Sequence, residues 1–165
     1  MYKLKEQKGA FAPFVAVLIV LLILAVGLVV DLGHIHNVRT ELQRAVDAAA
    51  LAGAGQLTGD DEQESRAIAA AEAMAEENNV DAEKVSVIDD NVLPTVGSWD
   101  DEALGASAEE RYEEDGDPVN AIRVEATRQV DHWFFFPIPG TEVTANAIAV
   151  NAFEEESIPI ALVSC

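Results

Sequence analysis

Three histidines, three runs of acidic residues and a single cysteine are the side chains in this sequence whose types could support chemistry. His34 and His36 stand two positions apart, which on a helix turns them to different sides, whereas a metal-binding helical pair sits at i and i+4. They read as polar residues at an interface. His132 lies beside a run of aromatics and has no partner that spacing identifies. The acids gather at Asp60, Asp61, Glu62 and Glu64, at Asp100, Asp101 and Glu102, and at Glu113, Glu114, Asp115 and Asp117. Their oxygens are of the kind that hold calcium, yet none of the runs has the EF-hand order with its glycine and closing glutamate, so the expectation is a solvated acidic surface. Cys165 is the only cysteine and cannot pair within the chain or build a multi-cysteine metal site. No Gly-rich phosphate loop, HExxH, Gly-x-Ser-x-Gly or Cys-x-x-Cys is present. The chain is therefore expected to be no enzyme, with no catalytic residue, no cofactor and no resident metal.

With no reaction centre to position, the elements themselves carry the functional information. The 165 residues have room for one modest domain and a membrane segment, and their formal net charge is −20. Lys3, Lys5 and Lys8 form a basic tail in which Glu6 is the only acid, while the rest of the chain is strongly acidic. Such a surface repels phosphate backbones, which excludes nucleic acid as a partner.

Between tail and acidic remainder, Ala10 to Val30 contains no charged or strongly polar side chain. This matches the run of about 20 residues that a helix needs to cross the hydrocarbon layer. A signal peptide would have a shorter apolar run closely followed by a small-residue cleavage site, so an uncleaved single-pass anchor is expected, with the basic tail cytoplasmic and the remainder outside. Pro13 falls in the first turn, where a missing N–H is harmless. Asp31 reads as the residue that ends the span in water.

Beyond Asp31, Leu32, Ile35, Val38, Leu42, Val46 and Ala49 recur at threes and fours, which predicts that the helix continues as an amphipathic one. Its end, Ala45 to Ala54, is rich in small side chains that let another backbone approach. Gly53, Gly55 and Gly59 are stop signals, and the whole helix would run about 45 residues, about 65 Å. A second helix is predicted over Asp61 to Asn78, with acids in its first turn and Ile68, Ala71, Met74 and Ala75 on one face. Val80 to Trp99 shows only short β-like pieces, and Pro94 argues against a central strand there. Asp100 to Pro118 reads as an exposed loop with a short helical turn over 106–112. Two strands follow, in "NAIRVEATRQV" and in "TEVTANAIAVNA", and both alternate as half-buried antiparallel strands do. Their connection holds Trp133, Phe134, Phe135 and Phe136, either a plug over one end of the sheet or an exposed tip for a partner or a membrane.

Three stretches together resemble the Tad, or Flp pilus-assembly, family, specifically TadG-like proteins with a pseudopilin-like N-terminal segment. "KGAFAPFVAVLIVLLILAVGLVVDLGHI" is similar to the family's basic residue, Gly-Ala and long apolar run. "ELQRAVDAAALAGA" resembles its amphipathic helix ending in an alanine-rich run, and "IRVEATRQVDHWFFFPIPGTEVTANAIAV" is similar in layout to its two strands and aromatic connection. A cleavable prepilin would place a glutamate at the fifth mature position, where Phe14 stands if counted from Gly9, and no von Willebrand-type domain follows the sheet as in longer TadG-like proteins.

The expected fold is α+β with a pilin-like architecture: a basic tail at 1–9, a transmembrane helix at 10–30, a continuing Ala-rich helix at 31–59, and an acidic head at 60–165 built on a second helix and a small antiparallel sheet. The resemblance implies a non-enzymatic, single-pass component of a pilus-assembly or secretion apparatus in a bacterial inner membrane, its head periplasmic or extracellular. Its partners would be other assembly or pilin-like subunits or further copies of itself. Leu32, Ile35, Leu42, Val46, Ala49, Ala50 and Gly53 would make the helix contacts. The alternatives are a divergent pilin-like filament subunit and an extracellular binding module using residues 133–136.

Overall fold

A computed structural model of the chain describes residues 11–87, 89–103, 105–134 and 139–151, and the backbone of 160–164. The basic tail, Gly9, Phe135, Phe136 and Cys165 lie outside the described residues. Helix α1 runs unbroken over Phe11–Ala54, 44 residues. No proline interrupts it after Pro13, and the two glycines before its last turn, Gly27 and Gly33, are outweighed by long stretches of strong helix formers. From Phe11 to Val26 every residue is exposed, whereas from Gly27 onward one stripe is buried: Gly27, Asp31, Val38, Leu42, Ala45, Val46, Ala49, Ala50, Gly53 and Ala54. The helix stops where Gly55, Gln56 and Leu57 donate to the carbonyls of Leu51, Gly53 and Ala54, a tightening that tucks Leu57 into the core.

Helix α2 (Gln63–Glu77) lies beside α1 and buries only alanines, Ala67, Ala71 and Ala75. Small residues on both helices set a short separation, and Gly53 marks the closest point. A Cβ there would lie 2.6 Å from the Ile122 Cδ1 and 3.0 Å from the Ala67 carbonyl oxygen. The acids before α2 build a turn rather than a loose patch. Asp60 accepts from Thr58 (2.7 Å), from the Arg66 guanidinium (2.6 Å) and from the Glu62 N–H (3.0 Å), with the Arg66 bond foremost in holding its carboxyl well below the usual carboxylate range.

A two-residue ladder, β1 (Asn79–Val80) with β2 (Glu83–Lys84), precedes the main sheet. That sheet has the antiparallel order β4-β3-β5-β6-β7, from β3 (Leu93–Trp99), β4 (Tyr112–Glu114), β5 (Ala121–Val130), β6 (Thr141–Asn151) and β7 (Ile160–Ser164). The α+β class and the long strand pair are as the alternation predicts. β5 and β6 pair along their length, Val124 opposite Ala147 and Ala126 opposite Ala145. On the face toward α1, Ile122, Val124 and Ala126 meet Ala145, Ala147 and Ala149 in the main core. The alanines of β6 let α1 lie close across the sheet. On the opposite face, Trp99, Tyr112, Ala121, Ile148 and Val150 form a second, smaller cluster.

Two sequence expectations change here. Pro94 does lie in an internal strand, pairing with Val124, because β4 covers only Gly97 to Trp99 and leaves the Pro94 end of β3 uncovered on that side. Within the stretch expected as an exposed loop, the short helical turn forms as expected, as α3 (Ala108–Arg111), but strand β4 follows it where no strand was expected. Ser107 and Glu110 cap α3 reciprocally, and those hydrogen bonds lower the Glu110 pKa. Tyr112 anchors β4: it is buried, its hydroxyl donates to the Thr95 carbonyl at 2.8 Å, and the Arg123 guanidinium lies 5.2 Å from its ring centre.

The 80–92 segment is held by one buried ion pair. Arg128 meets Asp90 with two parallel bonds, Nε to Oδ1 at 2.5 Å and Nη2 to Oδ2 at 2.7 Å, and it also donates to the carbonyls of Val80 and Lys84. Asp90 is 2% exposed and also accepts from the Ser86 N–H. A planar fork with its remaining donors on carbonyls is the arrangement that repays the desolvation of two charges.

Candidate functional site

The structure gathers its unusual features at the level where α1 changes from bare to covered. Gly27, Asp31 and His34 are spaced i, i+4 and i+7, on one helical face, and all three meet the connection between β5 and β6. At Gly27 an added Cβ would lie 3.0 Å from the Phe134 Cβ and 3.2 Å from its Cγ, so the absent side chain makes room for that ring. One turn on, Asp31 accepts from the Trp133 N–H at 3.0 Å and from the Phe134 N–H at 3.2 Å. A further turn on, the His34 ring stacks on Trp133, centroids 4.4 Å apart and planes at 29°. The connection thus clasps α1 along three successive contacts.

Both ends of the clasp are tied to the head. His132 Nδ1 is 4.0 Å from the Asp31 carboxylate, and its Nε2 is 3.2 Å from the Thr141 hydroxyl at the start of β6. His34 Nε2 is 3.4 Å from the Asp81 carboxylate, and the Asp81 N–H donates to Glu41 at 2.8 Å. Asp31 is only 3% exposed. The expected role for it, an acid ending the span in water, is replaced: its carboxylate is turned to protein, where it accepts from two backbone amides of the connection.

The residues expected to make helix contacts divide into two groups. Leu42, Val46, Ala49 and Ala50 are buried in the chain's own core, Gly53 faces Ala67 and Ile122, and Ile35 packs half-buried at the core's margin. This face is occupied by α2, β5 and β6 of the same chain. Leu32, by contrast, is 57% exposed, since the buried stripe runs through Asp31 and a neighbour 100° away points outward. Trp133 and Phe134 are 64% and 56% exposed. They do not plug the end of the sheet: they lean on α1 and leave their outer surfaces bare. Among the described residues no three acids or histidines converge as a metal site requires.

Apolar periodicity does not mark Gly27, Asp31 and His34 as a set, but their spacing does carry a signal: a glycine, an acid and a histidine at i, i+4, i+7 in line with the stripe below. The Asp90–Arg128 pair had no such signal, its partners being 38 residues apart.

Comparison with known families gives two matches. A family model described as Flp pilus-assembly TadE/G-like matches residues 9–56, which contain the whole of α1, its bare half and its buried stripe. A second, described as Tad-like Flp pilus-assembly, matches residues 52–150, more than half of the chain and nearly all of the described head. Neither a curated protein nor a solved structure gives a significant match.

Proposed function

The chain belongs to the Tad family of Flp pilus-assembly proteins, and from this premise we propose that it is a non-enzymatic, single-pass inner-membrane component of the assembly apparatus. The apolar half of α1 is its anchor and the acidic head stands outside the cytoplasm. One observation carries this reading: every residue from Phe11 to Val26 is exposed, all are apolar and most are large, on a helix long enough to cross a bilayer. Such a surface needs a cover, and lipid fits its length and its uniformity around the helix. The basic residues Lys3, Lys5 and Lys8 precede it, which favours a cytoplasmic N-terminus.

The stem is joined to the head by clasp and core together, so it presents the head at a set height and orientation. Assembly then runs through the surfaces the chain does not use on itself: the bare half of α1 and the outward side of its second half, including Leu32 and His36. The strongly negative head discourages indiscriminate association and leaves specific contact to those faces.

Fractionation tests the proposal. The full-length protein should stay with the inner membrane after alkaline carbonate washing. A soluble periplasmic form lacking residues 1–30 would overturn it. Abundant protein in sheared surface filaments would instead assign the bare helix to a fibre core and make the chain a filament subunit.

A further inference from the structure

We propose that the β5–β6 connection is itself a membrane-contacting element, with Trp133 and Phe134 seated in the headgroup and upper acyl region of the leaflet beside α1. The inference rests on the reading of α1 as a membrane span. Phe134 lies against Gly27, which is four residues before Asp31 and inside the apolar run. That places its ring about 6 Å deeper along the helix than the carboxylate. Trp133 sits beside His34, about one turn above Asp31. The two aromatics therefore straddle the boundary that the sequence of α1 defines, and the Gly27 face on which Phe134 lies continues down α1 through exposed Leu24, Ile23 and Val20.

Irregular backbone at this depth is tolerated only where its polar groups are satisfied within the protein. Asp31 meets that condition for the amides of Trp133 and Phe134. The amides in turn shelter the carboxylate, which is 3% exposed. An exposed Trp-Phe pair with its polar backbone turned inward is suited to an interface, where an aromatic body meets acyl chains and an indole N–H meets headgroups. Lipid is favoured over a protein partner because the patch is continuous with the bare helix. The acidic head excludes attraction to anionic lipid, so contact is through burial and does not depend on lipid charge. The clasp would hold the head down on the bilayer rather than let it stand off on the helix.

The chain's two tryptophans make the test direct. Full-length protein is reconstituted in phosphatidylcholine vesicles whose upper acyl chains carry bromine, and its emission is compared with that of Trp133→Phe. The expected result is a blue-shifted component, quenched by the brominated lipid, present in the wild type and lost in Trp133→Phe. A Trp99→Phe variant should retain that component. Carbonate resistance of α1 is measured on the same vesicles. With α1 integrated, a Trp133 component that acrylamide quenches from water, or that neither quencher reaches because protein covers it, overturns the proposal and leaves the span intact. Loss of the chain from the vesicles overturns the span itself, and the proposal with it.

Discussion

Asp31 and Trp133, 102 positions apart in the chain, are joined by a 3.0 Å hydrogen bond from the Trp133 N–H to the Asp31 carboxylate at the level where α1 passes from bare to covered. A charged side chain and a backbone amide that would each be costly alone at this level satisfy one another. The bond fixes the height of the head on its stem.

Replacing Asp31 should loosen the clasp without unfolding the sheet. Asp31→Ala leaves the amides of Trp133 and Phe134 without that acceptor and should destabilise the protein by about 1–3 kcal/mol, whereas Asp31→Asn keeps one acceptor oxygen and should lose less. Limited proteolysis in detergent reads this out: cleavage within 131–140 should be fastest in the alanine variant, intermediate in the asparagine variant and slowest in the wild type.

Gly27 and Gly33 form a matched pair. A Cβ at Gly27 would lie 3.0 Å from the Phe134 Cβ, inside ordinary van der Waals contact, while one at Gly33 meets nothing within 4 Å. Gly27→Leu should therefore displace the aromatic connection and destabilise by about 1–3 kcal/mol, and Gly33→Leu should be neutral or mildly stabilising through helix propensity. Chemical denaturation in mild detergent compares them; equal behaviour would exclude the close approach at Gly27.

Arg128→Met strands a buried carboxylate at Asp90 and should destabilise by about 3–5 kcal/mol. Pairing it with Asp90→Asn should recover part of that loss, because the second change removes the unpaired charge. A double-mutant cycle from denaturant midpoints measures the coupling, and strict additivity would show that the pair does not act as a unit.

Alkali should test Tyr112. Burial raises its phenol pKa above the ordinary value of 10.0, against the opposing effect of its hydrogen bond to Thr95. The folded state thus holds its proton more tightly than the unfolded state does, so the stability this group contributes is complete below about pH 10 and is lost as pH rises toward the folded-state pKa. Tyr112→Phe should be less stable than the wild type near neutrality, and the gap should close as pH rises past 10. Paired thermal melts from pH 8 upward would check it; a constant gap would mean that Tyr112 does not titrate differently in the folded state.

Local pattern carried a large part of the architecture. The apolar run and the threes and fours after Asp31 predict α1, and the alternation of Ile122, Val124 and Ala126 predicts β5, since both signals are periodicities between residues close in the chain. The family resemblance was legible from three such stretches. The structure decided what periodicity cannot see. Asp31 rather than Leu32 lies on the covered face because the sheet chooses which stripe of α1 it packs on, and the contacts that choose it come from β5, β6 and their connection. Tyr112 belongs to a strand because Thr95 and Arg123 are there to hold it, not because its neighbours alternate. Trp133 and Phe134 are a clasp with an exposed back, which no reading of "HWFFFP" distinguishes from a plug, because burial is set by what another part of the chain places opposite a residue. The sequence by itself determined the stem, the strands and the want of a catalytic motif; tertiary packing alone decided where the stem is gripped and which of its faces remain free.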